Sequence, residues 1–267
     1  MGIALKIELI FKIYKMTTVI TPIRKTEIAK KSNELSKIKT IIFHLYPGIF
    51  ITLGFIVLAP FFMRYGFPPQ FGSLIAIAVV AVPLLLLHLR SVKKQGGKDR
   101  ITDINGLTNR LPTSRLISYS LGLVVFAFVI WGATQPLDAI ITKKKLSWLP
   151  SWYTVQDFSG YTKDKIMITL ILNLTLNGFL APYVEELYFR GYLLARMQSF
   201  GKYAFAVNTI LFSLYHLWQP YVYLTLILSL MPMMWLVWKT KDLRLAILTH
   251  SLLNLVGALL AFGLLNK

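Results

Sequence analysis

The chain has 267 residues, 55% of them hydrophobic, with a net charge of +18 and no cysteine, and its mean hydropathy is +0.60. Such a composition excludes an ordinary soluble domain, and the missing cysteines exclude disulfides, thiolate catalysis and Cys-ligated zinc. The positive charge does not read as a nucleic-acid surface, because the basic residues lie between apolar runs rather than on an aromatic-interleaved face; the excess of Lys and Arg on cytoplasmic membrane loops accounts for them.

Residues 1–40 carry nine Lys or Arg against Glu8, Glu27 and Glu34. Apolar Ile3, Leu5, Ile7, Ile10 and Ile13 alternate there with Lys6, Lys12 and Lys15, the pattern of an amphipathic segment lying on the cytoplasmic membrane surface. Lys6, Glu8, Lys12 and Lys15 interrupt any signal-peptide core. Apolar runs of spanning or near-spanning length follow at about 41–63, 70–90, 114–134, 165–198, 221–238 and 243–263, and a shorter, polar-tipped one at 202–218. The fold expected is therefore an all-α polytopic transmembrane bundle of about seven spans, divided into the segment 1–40, N-terminal helices and loops over 41–164, and a core over 165–267.

Seven spans put the termini on opposite sides. With the N-terminus inside, the segments 1–40, 90–115, 190–202 and 239–244 hold 22 of the 29 Lys and Arg, which predicts a cytoplasmic N-terminus and an outer C-terminus in the plasma membrane. Lys143, Lys144 and Lys145, in a loop expected over 135–164, go against that bias. Trp148, Trp152 and Tyr153 give the same loop the character of an interfacial aromatic belt.

Polar residues at depth locate the chemistry. Of eleven acids only Glu185 and Glu186 fall within an apolar run, and Arg190 follows them. A charge at bilayer depth costs about 2.5–3.5 kcal/mol on insertion scales, so this triplet is expected to be functional; the bland alternative is a solvated cap on a membrane helix. Glu186 and Arg190 stand i,i+4, acid first, and can pair, while Glu185 is turned about 100° away. One carboxylate can thus be a held anion and the other free to take and give a proton. At about 1.5 Å per residue, Glu185 and His216 lie roughly 20 Å from the basic end of their helices and His250 roughly 10 Å, with Asn254 one turn further on. A bundle interior holding Glu, two His and Asn has the donors and acceptors of a hydrolytic or metal site. His44 and His88, at the ends of their spans, read as interfacial. There is no HExxH pair or GxSG-type serine motif, and every Asp falls in an expected connecting segment, which leaves water as the nucleophile.

Glu-Glu-x-x-x-Arg at 185–190, Phe-x-x-x-His at 212–216 and His-x-x-x-Asn at 250–254 together resemble the CPBP family, also called Abi, of CAAX prenyl protease and bacteriocin-processing membrane proteins. The resemblance covers about 165–265 and implies an intramembrane endopeptidase, glutamate-dependent or metallo. It implies Glu185 as the base that activates water with His216, Glu186 and Arg190 as groups that order the site, and His250 and Asn254 as oxyanion stabilisers. Zinc held by Glu185, His216 and His250 and metal-free water activation are both compatible with it. The implied partners are the lipid bilayer and a peptide or protein substrate, prenylated or a leader peptide; no nucleic acid is expected. Two readings compete: a catalytically silent or protease-based bacteriocin-immunity protein, and a proton-coupled transporter, which would call for a repeat symmetry that the sequence lacks.

Overall fold

The computed structural model describes residues 34–154 and 158–264; the amphipathic segment expected at the N-terminus falls almost wholly outside them. The described chain is helical, with a single isolated bridge between Thr108 and Asp242. Among the described residues six helices are long and apolar enough to cross a membrane: α1 (Lys37–Met63), α2 (Pro69–Gln95), α3 (Thr113–Lys145), α4 (Lys163–Arg196), α6 (Pro220–Thr240) and the last, whose full extent is Leu243–Leu264, α7. The chain is an integral membrane helix bundle.

The run at 202–218 differs from expectation. Only Ala204–Tyr215, here α5, is helical, and 12 residues reach about 18 Å, well short of a hydrocarbon core of about 30 Å. Gly201 at φ 52°, ψ −131° breaks the chain before it, and His216 leaves helical geometry at ψ 52° after it. The chain nevertheless passes from one end of the bundle to the other through α5. At the first end, Leu35 N donates to Arg196 O (3.0 Å), Gly106 N to Gly191 O (3.0 Å) and Asn109 N to Lys241 O (3.0 Å). At the opposite end, Tyr153 Oη donates to the Leu217 carbonyl (2.9 Å). The described residues therefore begin and end at opposite ends, six passes being made by long helices and one by α5 with its flanking turns.

α3 also departs from expectation. It runs on to Lys145, so residues 135–145 are its final turns rather than loop, and Asp138 sits on a helix. That carboxylate accepts from Thr225 Oγ1 at 2.5 Å, which ties α3 to α6. Tyr153 is buried, while Trp148 is 76% exposed.

Among the described residues helical geometry loosens in three stretches, of which Leu187–Leu193 in α4 has no proline just after it and the other two do. π-helical turns occupy Ile77–Ala81 in α2 and Asn173–Leu180 in α4, each just before a proline, Pro83 and Pro182. Proline has no N–H for the carbonyl four residues back and its ring crowds that carbonyl, so the ladder widens there. Neighbouring helices can then satisfy the released carbonyls. The second half of α4 is the centre of the bundle: Val184 through Leu194 are all buried, with Tyr188, Phe189, Arg190 and Leu193 at 0% exposure. A helix enclosed on every face belongs in the core, and α1, α2, α5, α6 and α7 wrap this one. Outward faces of α1 and α3 present Leu53, Val57, Val125 and Val129 to lipid.

Candidate active site

α4 delivers three charges into that core. Arg190 Nη1 lies 3.0 Å from Glu186 Oε1, both side chains being 0% exposed, so the solvated-cap alternative fails. The guanidinium stacks 3.8 Å from the Phe212 ring centroid, and its Nε donates to Met234 Sδ at 3.0 Å. The ion pair is close but poorly aligned for hydrogen bonding, and among the described residues Arg190 Nη1 and Nη2 and Glu186 Oε2 have no hydrogen-bond partner. Charges so enclosed are held by their mutual attraction and by the Phe212 face rather than by water.

His250, on α7, gives Glu186 a second partner. Its Nδ1 lies 2.8 Å from Glu186 Oε1, and its Nε2 lies 4.0 Å from Glu185 Oε2. With Nδ1–H donating to the carboxylate, the neutral ring keeps a lone pair on Nε2. Glu186 is thus shared between Arg190 and His250, a link that the i,i+4 spacing does not reveal. Glu185, turned away as the helical period requires, accepts a hydrogen bond from Tyr215 Oη on Oε1 (3.1 Å).

His216 and Asn254 complete the set. His216 Nδ1 lies 2.9 Å from the Phe212 carbonyl, which the helix no longer uses because it ends at Tyr215; this leaves Nε2 as the free nitrogen. Asn254 Nδ2 donates to the Asn177 carbonyl at 2.7 Å, inside the π-helical stretch of α4.

A cavity of about 310 Å³ is walled by Glu185, His216, His250 and Asn254 together. Glu186 and Arg190 stand behind it rather than on its wall. Asn173 and Asn177 line it too; as the two amides within α4's apolar run they could have been singled out in the sequence. The sequence gives no comparable signal for Tyr215, whose role depends on how α5 packs. The cavity extends toward Gln70, Ser73, Trp218 and Gln219, at the end that holds the 146–153 segment. Arg196, Lys202, Lys239, Lys241 and Arg244, the ring of cations at the first end, do not line it. The residues placed at depth by helix length do line one cavity, while the direction in which it opens depends on which ends of α2, α3, α6 and α7 stand apart.

The two remaining histidines do not line this cavity and bond side chains of neighbouring helices. His44 is 0% exposed; its Nδ1 lies 2.7 Å from Thr40 O, and Asn208 Nδ2 donates to its Nε2 at 2.9 Å. His88 is half-buried and bonds Tyr46 Oη at 2.8 Å.

Both site imidazoles hold Nδ1 on an acceptor, as metal-bound histidines do. Yet among the described residues no three His, Asp or Glu side chains converge to hold a metal ion, so the arrangement does not fit a three-ligand zinc site and no step below runs through one.

Residues 167–256 match the family described as Rce1-like, Type II CAAX prenyl endopeptidase Rce1-like. No curated protein and no solved structure matches the chain.

Proposed function

Starting from the Rce1-like domain carried at residues 167–256, we propose that this protein is a CAAX-protease-like intramembrane endopeptidase that hydrolyses a peptide bond with water activated by Glu185. One observation carries the reading: of two adjacent buried carboxylates, Glu186 is committed to Arg190 and His250, while Glu185 keeps an oxygen toward His250 and the cavity. Two carboxylates in unlike surroundings take unlike roles.

In this mechanism a water in the cavity lies against Glu185 Oε2 and the free Nε2 of His216. Its oxygen attacks the substrate carbonyl carbon as its proton passes to Glu185, and Glu185 returns that proton to the amine nitrogen as the peptide bond breaks. Asn254 has one N–H engaged by Asn177 and a second for the carbonyl oxygen as it becomes negative. Glu186 holds His250 in the tautomer whose Nε2 faces Glu185, and Arg190 balances the Glu186 charge. The apolar part of the wall, including Phe128, Leu226, Leu230 and Leu253, suits a substrate segment that carries hydrocarbon, and a prenylated C-terminus and an apolar leader both meet that description.

The test uses purified protein in vesicles and internally quenched peptides, one ending in a farnesylated CAAX sequence and one an unmodified leader. Cleavage by the native chain and none by Glu185→Gln supports the reading. Equal cleavage by the Gln variant refutes Glu185 as the base, and no cleavage by either, with intact function in cells, favours a silent scaffold such as an immunity protein.

A further inference from the structure

We propose that Tyr215 is the positioning residue for Glu185, holding one carboxylate oxygen so that the other faces the reacting water; the proposal rests on the proteolytic reading above. Tyr215 is 0% exposed and absent from the cavity wall, so it acts on the substrate only through the carboxylate it touches. Its hydroxyl donates to Glu185 Oε1 at 3.1 Å, while Oε2 is the oxygen 4.0 Å from His250 Nε2. A glutamate has three side-chain torsions, and anchoring one oxygen removes the rotation that would point the other away from the site.

The tyrosine is itself clamped. Its ring stacks on Phe212 with centroids 5.7 Å apart and 24° between planes, tilts against Phe189 at 4.7 Å, and meets the edges of His216 and Trp218 at 4.9 and 5.2 Å. Rings packed on several sides leave the hydroxyl little freedom. Its backbone is fixed as well. α1 crosses so close that a Cβ built on Gly48 would collide with the Tyr215 carbonyl oxygen, an approach that only glycine allows. Tyr188 Oη, donating to the Phe43 carbonyl at 2.9 Å, and the His44–Asn208 bond hold α1 at this crossing. Thus α1, which lies outside the matched residues 167–256, helps set the geometry of the base.

Tyr215→Phe removes the hydroxyl and keeps the ring. With the peptide cleaved by the native protein, kcat should fall about tenfold or more, the rate equivalent of losing a hydrogen bond to a charged group, with KM within about twofold because the residue does not touch substrate. p-Aminophenylalanine at 215, which restores an N–H donor at the same place, should recover much of kcat. A purely packing role predicts no such rescue and a change in KM as well. Gly48→Ala should reproduce the kcat deficit if it folds; the two variants at 215 decide the matter if it does not. Glu185→Gln assayed alongside separates two failures. If it is inactive and Tyr215→Phe retains kcat within twofold, the positioning proposal falls alone; if it is fully active, Glu185 is not the base and the positioning proposal falls with that role.

Discussion

Arg190→Ala is the sharpest probe of the buried charges. Arg190 and Glu186 are both 0% exposed and 3.0 Å apart, so truncating the arginine strands a carboxylate where water does not reach. Removing one member of a buried pair costs about 3–5 kcal/mol, most of it the penalty of the charge left behind. Loss of the guanidinium from the Phe212 face, 3.8 Å away, falls within that total rather than adding to it. Against a typical folding stability of about 5–15 kcal/mol, such a loss removes much of the margin and should lower a thermal midpoint by roughly 10 °C on the scaling known for chains of this size. Glu186→Gln in the Arg190→Ala chain removes the stranded charge, keeps an oxygen for His250 Nδ1, and should recover part of the loss. The assay is the monodisperse fraction of detergent-solubilised protein after stepwise heating, for native, single and double variants. A midpoint for Arg190→Ala within about 2 °C of native, with no benefit from Glu186→Gln, would show that water reaches the pair and would refute the argument.

Four further outcomes follow from the same geometry. Glu185→Gln, nearly isosteric, should fold and insert while losing all cleavage, checked by peptide assay and membrane yield together. Asn254→Ala should lower kcat by about 10²–10³ at similar KM, the size seen for a lost oxyanion donor; a loss confined to KM would make Asn254 a binding residue instead. Treatment with a zinc chelator should leave cleavage unchanged, since no three ligating side chains converge among the described residues; loss that is restored by added zinc would reinstate the metal reading. Cysteines placed singly at the exposed Asp99 and Ser147, in a chain with none of its own, should label with an impermeant thiol reagent only after lysis and in intact cells, respectively. The cavity would then open toward the outer face, and the reverse pattern would turn it to the cytosol.

Asp242, at the turn between α6 and α7, offers a pH readout outside the spans. Burial alone would raise its proton affinity, but hydrogen bonds from the Arg244 side chain, Leu111 N and Arg244 N outweigh it and hold the carboxyl below its ordinary 3.8. A depressed carboxylate contributes stability that is present above its unfolded value and lost as pH falls through the folded one. The contacts of Asn109 and Leu111 with residues 240–244 should therefore loosen only below about pH 4, seen as faster proteolysis in the 96–112 segment, and Asp242→Asn should show the loosening at neutral pH. Equal protease resistance of Asp242→Asn and native protein at neutral pH would refute that role.

The sequence determined the class of the protein and picked out residues that the fold brings to one cavity. Apolar runs long enough to span a membrane force helices, because lipid offers backbone groups no partner, and a charged triplet at depth is costly enough to mark itself. The period of the helix settled that Glu186 and not Glu185 would meet Arg190. The partners of Glu186, Glu185 and Asn254 on other helices were decided by the tertiary structure alone. His250 on Glu186, Tyr215 on Glu185 and Asn177 on Asn254 all join residues that are 30 or more positions apart, and such pairings depend on how helices cross. The crossing of α1 over the end of α5 depends in turn on the missing side chain at Gly48. The lengths of α3 and α5 were also beyond a local reading, since hydropathy does not say where a helix stops when it runs on through exposed turns such as 135–145 or when the backbone leaves helical geometry within an apolar run as at 216. The direction in which the cavity opens follows from the splay of several helices at once, and no single stretch of the chain encodes it.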